Sequence, residues 1–453
     1  MAKKSKRRPT GKKASSRKIP KQSATGKVRA DSPADDNSIV AAVTKHYLSS
    51  GDFNGLPVRT LFKNEASRES IRAGLKRLIE ARQLTMEFGL GHPNPYIKAF
   101  PPHPSNATHL EELATNDLQH ACAYPTPAVL AKAVSASEGQ DRPFTRRLML
   151  GEAQLEFHAF DLSVLEFYRN DPRYRYDNDD IRGSISIRDA FYDSAKMPER
   201  DHVLLETFGF GYDESWNRAV VVFTRYLHDL SPEHQQIWNA KRLDGTYKLH
   251  PDYYRNSILV EWGTKLSLFD AFTDELKHIN AMVKLMGKPP LFRNEFEDRP
   301  IEFAFLVRPT TKELNDFVLI LDQMMSDNLN KDFFRGDVDL EAEASRSDGK
   351  VVVNQKGTIQ LLEQWFQKKM RFPDPKPIND TVALFRGVRK LRQSPAHKAE
   401  DSTFDQKIFK EQRQLAMRAY DAVRTIRLML ANHPAVRSYK VPDELFNGEI
   451  WTY

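Results

Sequence analysis

Apolar residues recur at helical spacing along four segments in the last third of the chain. The first follows Thr310, the second is centred on 359–366, the third covers 381–392, and the fourth runs from 404 to about 431. In each segment, side chains three and four positions apart form one apolar stripe, the pattern of an amphipathic helix. Connections of modest length join the segments. The pattern therefore predicts an antiparallel four-helix bundle over residues 301–453.

A second region with helical spacing covers residues 37–100. Two helices are predicted at 38–50 and 57–62, and a third begins after Ser67. Two apolar runs, 84–88 and 96–100, flank a turn rich in glycine and proline, which predicts a β-hairpin.

Three helices followed by a hairpin resemble a winged helix-turn-helix domain. In that family the third helix enters the major groove of DNA, so the resemblance implies contacts from Arg68, Arg72 and Lys76, which share one helix face. Winged helices also serve as protein-docking modules. A basic helix face can also be an ordinary solvated surface that binds nothing.

Residues 101–150 begin with several prolines and are predicted to be a linker with short helices. Residues 151–300 contain strand-like runs at 154–168, 183–187, 203–212 and 219–226. Ser231-Pro232-Glu233 opens a helix, and another is predicted at 266–286. We therefore expect an α+β middle domain with an antiparallel sheet.

Candidate metal ligands in this middle region lack a recognised spacing. Asp177, Asp179 and Asp180 follow a run of tyrosines and arginines, which fits a cation site beside an RNA-stacking surface or, more simply, a charged loop beside an edge strand. No phosphate-binding glycine loop, dinucleotide fingerprint or serine nucleophile elbow is present in the sequence. The sequence therefore predicts no metal site and no cofactor.

The composition limits the number of domains and the cellular compartments that are compatible with this chain. With 453 residues, 40% of them hydrophobic, the chain has material for about three domains. Its single cysteine, Cys122, excludes an internal disulfide framework and fits a reducing compartment, while no apolar run is long enough to span a membrane. We therefore expect a cytoplasmic protein without a membrane partner.

The first 36 residues are predicted to be a disordered tail. Residues 1–30 contain twelve lysines and arginines and no acid, so removing them from the net charge of +7 leaves −5. The remaining chain is acidic overall. A polyanion-binding arm is the favoured interpretation of the tail, and a nuclear localisation signal or a solubilising extension is compatible with the same composition.

The most specific chemical pattern lies between the third and fourth predicted helices of the bundle, in Arg392-Gln393-Ser394-Pro395-Ala396-His397. On a helix over 381–392, Arg392 falls on the apolar side, where a guanidinium must sit at a rim, in an interface or against an anion. Ser394 and Pro395 fit an N-cap and a first helical position, which predicts a bend that lets Arg392 and His397 converge. An arginine can hold a phosphate, and a histidine can carry a proton near neutral pH.

These residues resemble the arginine, four-to-six residues, histidine signature of HEPN domains, which are helical bundles of higher eukaryotic and prokaryotic nucleotide-binding proteins. In active members two bundles pair, both motifs line one cleft, and RNA is cut without a metal. The resemblance implies Arg392, His397 and Gln393 as catalytic residues, although the family usually has asparagine, aspartate or histidine where this chain has Gln393. The alternative interpretation is a structural arginine that bonds nearby groups and a histidine satisfied by its neighbours.

The sequence therefore predicts a multidomain, mainly α chain with a winged helix, an α+β middle and a HEPN-like bundle. Our first hypothesis is a homodimeric, metal-independent endoribonuclease of a prokaryotic toxin or phage-defence type, with an antidote or NTPase as a further partner. The second is a non-catalytic DNA-binding adaptor whose bundle only dimerises. A third, an enzyme built on the middle domain, has no specific residue in its favour.

Overall fold

The computed structural model describes residues 35–89, 92–99, 102–192, 197–263, 265–345, 351–370, 373–393 and 402–453. Within these ranges the protein is a mixed α and β structure with several small sheets. The predicted basic tail lies almost entirely outside them. None of the described helices combines the length and the apolar character that crossing a lipid bilayer requires.

The N-terminal region forms its own apolar core from helices and a three-stranded sheet. Its elements are α1 (Asp36–Ser49), β1 (Leu56–Pro57), α2 (Glu65–Glu80), β2 (Leu84–Glu87), α3 (Asn106–Thr115), β3 (Cys122–Pro125), α4 (Pro127–Ala133) and α5 (Pro143–Met149). A short 3-10 turn, Val58–Leu61, replaces the predicted second helix. Asn64 caps α2, because its side chain accepts a hydrogen bond from the Ser67 amide at 2.8 Å.

The predicted hairpin between 84–88 and 96–100 is wrong. Strand β2 pairs antiparallel with β3, so that Leu84 lies opposite Pro125 and Glu87 opposite Cys122, and β1 pairs with the other edge of β3. Residues 96–99 are not in a strand. The sheet therefore joins residues on both sides of the boundary that we expected at residue 100.

The middle of the chain is built on an antiparallel sheet, as the strand-like composition of its runs predicts, although the end of the 154–168 run is helical. The strand order is β4-β8-β7-β6-β5, and β9 also pairs with β7. Its elements are β4 (Phe157–Phe160), α6 (Glu166–Arg169), β5 (Tyr174–Asn178), β6 (Arg182–Ile187), α7 (Asp189–Tyr192), β7 (Leu204–Tyr212), β8 (Arg218–Phe223), α8 (Thr224–His228), α9 (Pro232–Ala240), β9 (Lys248–Leu249) and α10 (Pro251–Tyr254). The aromatic and basic run over 174–178 is an edge strand.

The last part of the chain packs around one large apolar cluster, here called the C-terminal core. Its elements are β10 (Leu266–Ser267), α11 (Leu268–Leu285), α12 (Thr311–Met324), α13 (Lys331–Phe334), β11 (Glu341–Ser345), β12 (Val351–Gln355), α14 (Thr358–Lys369), α15 (Lys376–Gln393), α16 (Gln406–Ala431), α17 (Asp443–Asn447) and β13 (Ile450–Trp451). Helices α12, α14, α15 and α16 correspond to the four predicted ones. Helix α11, which we placed in the middle domain, packs against α16 and belongs to this core.

A buried arginine connects the central sheet to the C-terminal core. Arg218, at the start of β8, is 1% exposed and donates hydrogen bonds from Nη1 to the carbonyls of Phe305 and Leu306, each at 3.1 Å. Its Nη2 donates to the carbonyl of Asp180 at 3.3 Å, and its guanidinium lies 3.7 Å from the centre of the Phe210 ring. Three backbone carbonyls and an aromatic face thus hold a cation between the two parts, and its Nε has no hydrogen-bond partner among the described residues.

Candidate functional site

Helix α15 carries the arginine of the predicted motif in its last turn. Its buried side chains form a stripe that faces the C-terminal core: Ile378, Thr381, Val382, Leu384, Phe385 and Val388. The helix ends at Gln393, so Arg392 stands where a cation interacts favourably with the negative end of the helix dipole. The Arg392 side chain is 32% exposed, which places it at the rim of the core.

Opposite Arg392 lie the end of α12 and the turn that follows it. Asp322 belongs to the last turns of α12, and the amide of Asp327 donates to the Asp322 carbonyl at 3.1 Å, which folds the chain back on the helix. The turn is held from outside as well. Thr358 donates to the Ser326 carbonyl at 2.8 Å, and the side chain of Asn328 donates to a neighbouring loop carbonyl at 2.7 Å. The backbone around Asp327 is therefore fixed.

Two arginines of α15 and these two aspartates form one ion cluster. Arg392 Nη1 donates to Asp322 Oδ2 at 2.8 Å and to Asp327 Oδ2 at 2.5 Å. Arg389, one turn earlier, donates from Nε to Asp322 Oδ1 at 3.1 Å and from Nη2 to Asp327 Oδ1 at 2.5 Å. Each carboxylate thus accepts from both guanidinium groups, and the four formal charges cancel.

The two carboxylates differ in their surroundings. The Asp322 side chain is 0% exposed, whereas that of Asp327 is 39% exposed. Burial raises the pKa of Asp327, but hydrogen bonds from Arg392 and Arg389 outweigh it, and the pKa stays below its ordinary value. The hydrogen bond from Arg392 to Asp322 contributes most, and that to Asp327 adds to it, so the pKa of Arg392 lies above its ordinary value. Both partners are therefore charged at physiological pH.

The position of Arg392 agrees with the argument from the helix pattern, because the guanidinium on the apolar side is paired with anions. Two details of that pattern are wrong. A regular helix over 381–392 would turn Arg389 away from the apolar stripe and place Leu391 within it, whereas Arg389 joins the ion cluster and Leu391 is 52% exposed. Gln393 is exposed. His397 and the predicted bend at Ser394 and Pro395 lie outside the described residues, so the approach of Arg392 to His397 stays a prediction.

Two of the three residues predicted to contact DNA lie on the face of α2 that is against α3. Arg68 forms an ion pair with Asp117, just after α3. Arg72 donates to the carbonyl of Leu113 and, at 3.4 Å, to that of Asn116. Lys76 is exposed. Two of the three cations are therefore engaged with the segment between β2 and β3, a contact that the pattern of a basic helix face does not reveal.

Comparison with protein-family models, with curated proteins and with solved structures finds no match to this chain. The argument for function therefore depends on the side chains and their geometry. In the described part of the chain, no three His, Cys, Asp or Glu side chains come together in a way that would hold a metal ion.

Sequence reasoning missed the acidic half of the cluster. Asp322 lies on the buried stripe of α12 between Val318 and Met325, and a carboxylate in that position signals a buried ion pair. A second such signal is Glu275 on α11, which is 0% exposed and pairs with Arg427 of α16 through two hydrogen bonds. Both signals are visible in the sequence, but neither identifies its partner, because each partner is 67 or more residues away.

Proposed function

We propose that this protein is a metal-independent endoribonuclease of the HEPN type, active as a homodimer, with Arg392 and His397 as its catalytic pair. The observation that carries the proposal is the placement of Arg392. Its guanidinium is partly exposed at the end of a core helix and fixed by the buried carboxylate of Asp322, and four residues separate Arg392 from His397 in the sequence.

In the proposed reaction the ribose 2′-hydroxyl attacks the adjacent phosphodiester. Arg392 holds the phosphate and stabilises the charge that develops on its non-bridging oxygens, and it stays protonated throughout. His397 removes the 2′-hydroxyl proton or protonates the leaving 5′-oxygen, and the second protomer supplies the other of these two groups. Gln393 donates to the phosphate or orients His397.

A cleavage assay tests this proposal. Purified full-length protein is incubated with single-stranded RNA in the presence of a chelator, and the parent is compared with Arg392→Ala and His397→Ala. Loss of a general acid or base lowers the rate by about 10²–10⁴-fold. Arg386→Ala is the matched control, because it removes a guanidinium from the same helix that pairs with Glu363 outside the ion cluster and leaves the motif intact.

The expected result is loss of cleavage in both motif variants and retained cleavage in Arg386→Ala. If both motif variants cleave like the parent, the cleavage comes from another site or from a contaminant, and the proposal fails. Dimerisation is measured by sedimentation of the same samples. A parent that cleaves as a monomer would contradict the shared cleft.

The second candidate is a non-catalytic adaptor with a winged helix, and the strand order of the N-terminal sheet supports it. A helix, a short strand, a turn, a helix and two further strands in the order β1-β3-β2 resemble that fold, with α3 inserted between β2 and β3. Because α3 engages Arg68 and Arg72, protein docking is favoured over reading of the major groove by this face.

A DNA-binding assay separates these roles of the N-terminal region. The triple variant of Arg68, Arg72 and Lys76 to alanine is compared with the triple variant of Lys45, Arg82 and Lys132, which line a groove between α1 and α4. Contacts to phosphates make binding depend steeply on salt. DNA binding through α2 requires that the first triple variant lower both the affinity and the salt dependence more than the second does.

A further inference from the structure

The Asp327 carboxylate lies where a bound anion could lie. Arg389 and Arg392 contact it from one side, at 2.5 Å each, and 39% of its side chain is exposed. Two guanidinium groups that converge on one set of acidic oxygens match the geometry by which proteins recognise phosphate.

The two aspartates of the cluster differ in how easily each leaves its partners. Moving the Asp322 side chain away would leave its own buried oxygens without partners and would take one anion from both guanidinium groups, because this carboxylate is fully buried. Asp327 is held less firmly, because its side chain is 39% exposed and water and salt screen its ion pairs. Rotation of the Asp327 side chain needs no backbone movement and leaves one net positive charge on Arg389, Arg392 and Asp322.

We propose that Arg389 and Arg392 form a phosphate-binding site that the chain's own Asp327 fills, and that a phosphodiester of single-stranded RNA displaces this carboxylate. Asp322 is the fixed counter-charge that holds both guanidinium groups in register. Asp327 acts as a built-in competitor that sets the affinity for the incoming anion.

This inference rests on the proposed function for its ligand, since a ribonuclease must hold a scissile phosphate next to Arg392. It adds Arg389 to the binding surface and gives Asp327 a role in specificity. A singly charged anion binds too weakly to displace the aspartate. A phosphodiester backbone carries successive charges, so its binding free energy exceeds the cost of displacement.

The test measures RNA binding separately from cleavage. A fluorescent single-stranded RNA with 2′-O-methyl groups, which lacks the attacking hydroxyl, is titrated with full-length protein and followed by anisotropy. Asp327→Asn removes the competing charge and preserves the shape of the side chain. We expect about tenfold tighter binding, which corresponds to about 1.4 kcal/mol.

Asp380→Asn is the matched control. Asp380 lies near the other end of α15 and pairs with Lys376 at the surface, so its loss changes the net charge by the same amount. Asp327→Ser serves as a second variant, and melting curves confirm that each variant is folded. The gain from Asp327→Asn must disappear when Arg389→Ala is added, and inorganic phosphate must compete with the RNA.

Equal affinities of Asp327→Asn and Asp380→Asn would overturn the inference, as would a gain that survives the loss of Arg389. The two proposals fail separately. Tighter RNA binding without cleavage in any sample keeps the phosphate site and removes the nuclease. If cleavage requires Arg392 and His397 but Asp327→Asn binds RNA no more tightly than the parent, the nuclease proposal stands and the phosphate site fails.

Discussion

Arg392 Nη1 lies 2.8 Å from Oδ2 of Asp322, a carboxylate with no exposure to solvent. This pair joins the end of α15 to α12. Asp322→Ala leaves two guanidinium groups without their buried partner, and we expect the free energy of unfolding to fall by about 3 kcal/mol. Hydrogen exchange of the α12 and α15 amides measures the effect locally. Asp380→Asn should change exchange little, and equal exchange in Asp322→Ala and the parent would contradict the role given to Asp322.

The buried pair of Glu275 and Arg427 joins α11 to α16 in the same way. Arg427→Met alone leaves the Glu275 carboxylate buried without a cation, so we expect a loss of about 3–5 kcal/mol. The double variant Glu275→Leu with Arg427→Met removes both charges and should recover most of that loss. Thermal unfolding of the three proteins checks this. A double variant as unstable as the single one would show that packing, and not the charge, dominates.

Glu87 on β2 predicts a pH-dependent stability of the N-terminal region. Burial raises the pKa of Glu87 to about 7, with Lys98 opposing the shift and Glu112 adding to it. Because the pKa in the folded protein exceeds the ordinary value, the folded state binds the proton more tightly. The stabilisation is therefore complete below about pH 4.5 and is lost as the pH rises through about 7.

Glu87→Gln should remove this dependence. We expect the variant to match the parent near pH 5 and to be more stable by roughly 1–3 kcal/mol near pH 8. Parent and variant are compared by thermal melting at each pH. Burial lowers the pKa of His103 and of His109, and their contribution to the pH dependence of stability cancels in this comparison. Glu80→Gln, an exposed change on α2, is the control. A constant difference across this pH range would contradict the assignment.

Two glycines predict opposite effects of the same substitution. A Cβ atom at Gly209 in β7 would lie 2.3 Å from ring atoms of Tyr253, so Gly209→Ala should destabilise the central sheet by about 1–3 kcal/mol. A Cβ atom at Gly387 in α15 meets nothing within 4 Å. Gly387→Ala should therefore stabilise the helix by about 0.5–1 kcal/mol, which denaturant unfolding detects. Stabilisation by both substitutions would show that the sheet yields around Tyr253.

Local patterns predicted the helices and the longer strands well. The N-caps at Thr310 and Ser231 mark the starts of α12 and α9, because the side chain of each accepts a hydrogen bond from the first turn. Runs rich in β-branched and aromatic residues likewise indicate the longer strands of the central sheet. These signals act over a few residues, so a sequence displays them directly.

Pairings between distant segments were not predictable in the same way. Strand β3 is only four residues long and lies 34 residues after β2, so nothing in its own composition shows that it displaces the 96–100 run as the partner of β2. The ion cluster has the same character. The helix pattern left a rim, an interface or an anion open for Arg392, and the choice of Asp322 and Asp327 depends on how α12 and α15 pack.

Arg218 bears on any attempt to divide this protein. Its hydrogen-bond acceptors at Phe305 and Leu306 lie beyond residue 300, and α11 packs within the C-terminal core although it lies before that residue. Division at residue 300 would leave the buried Arg218 guanidinium of one fragment without two of its acceptors. It would also remove α11 from the core of the other fragment. Fragments designed from the sequence pattern alone would therefore be poor proxies for the intact enzyme candidate, and its chemistry is best assayed on the undivided chain.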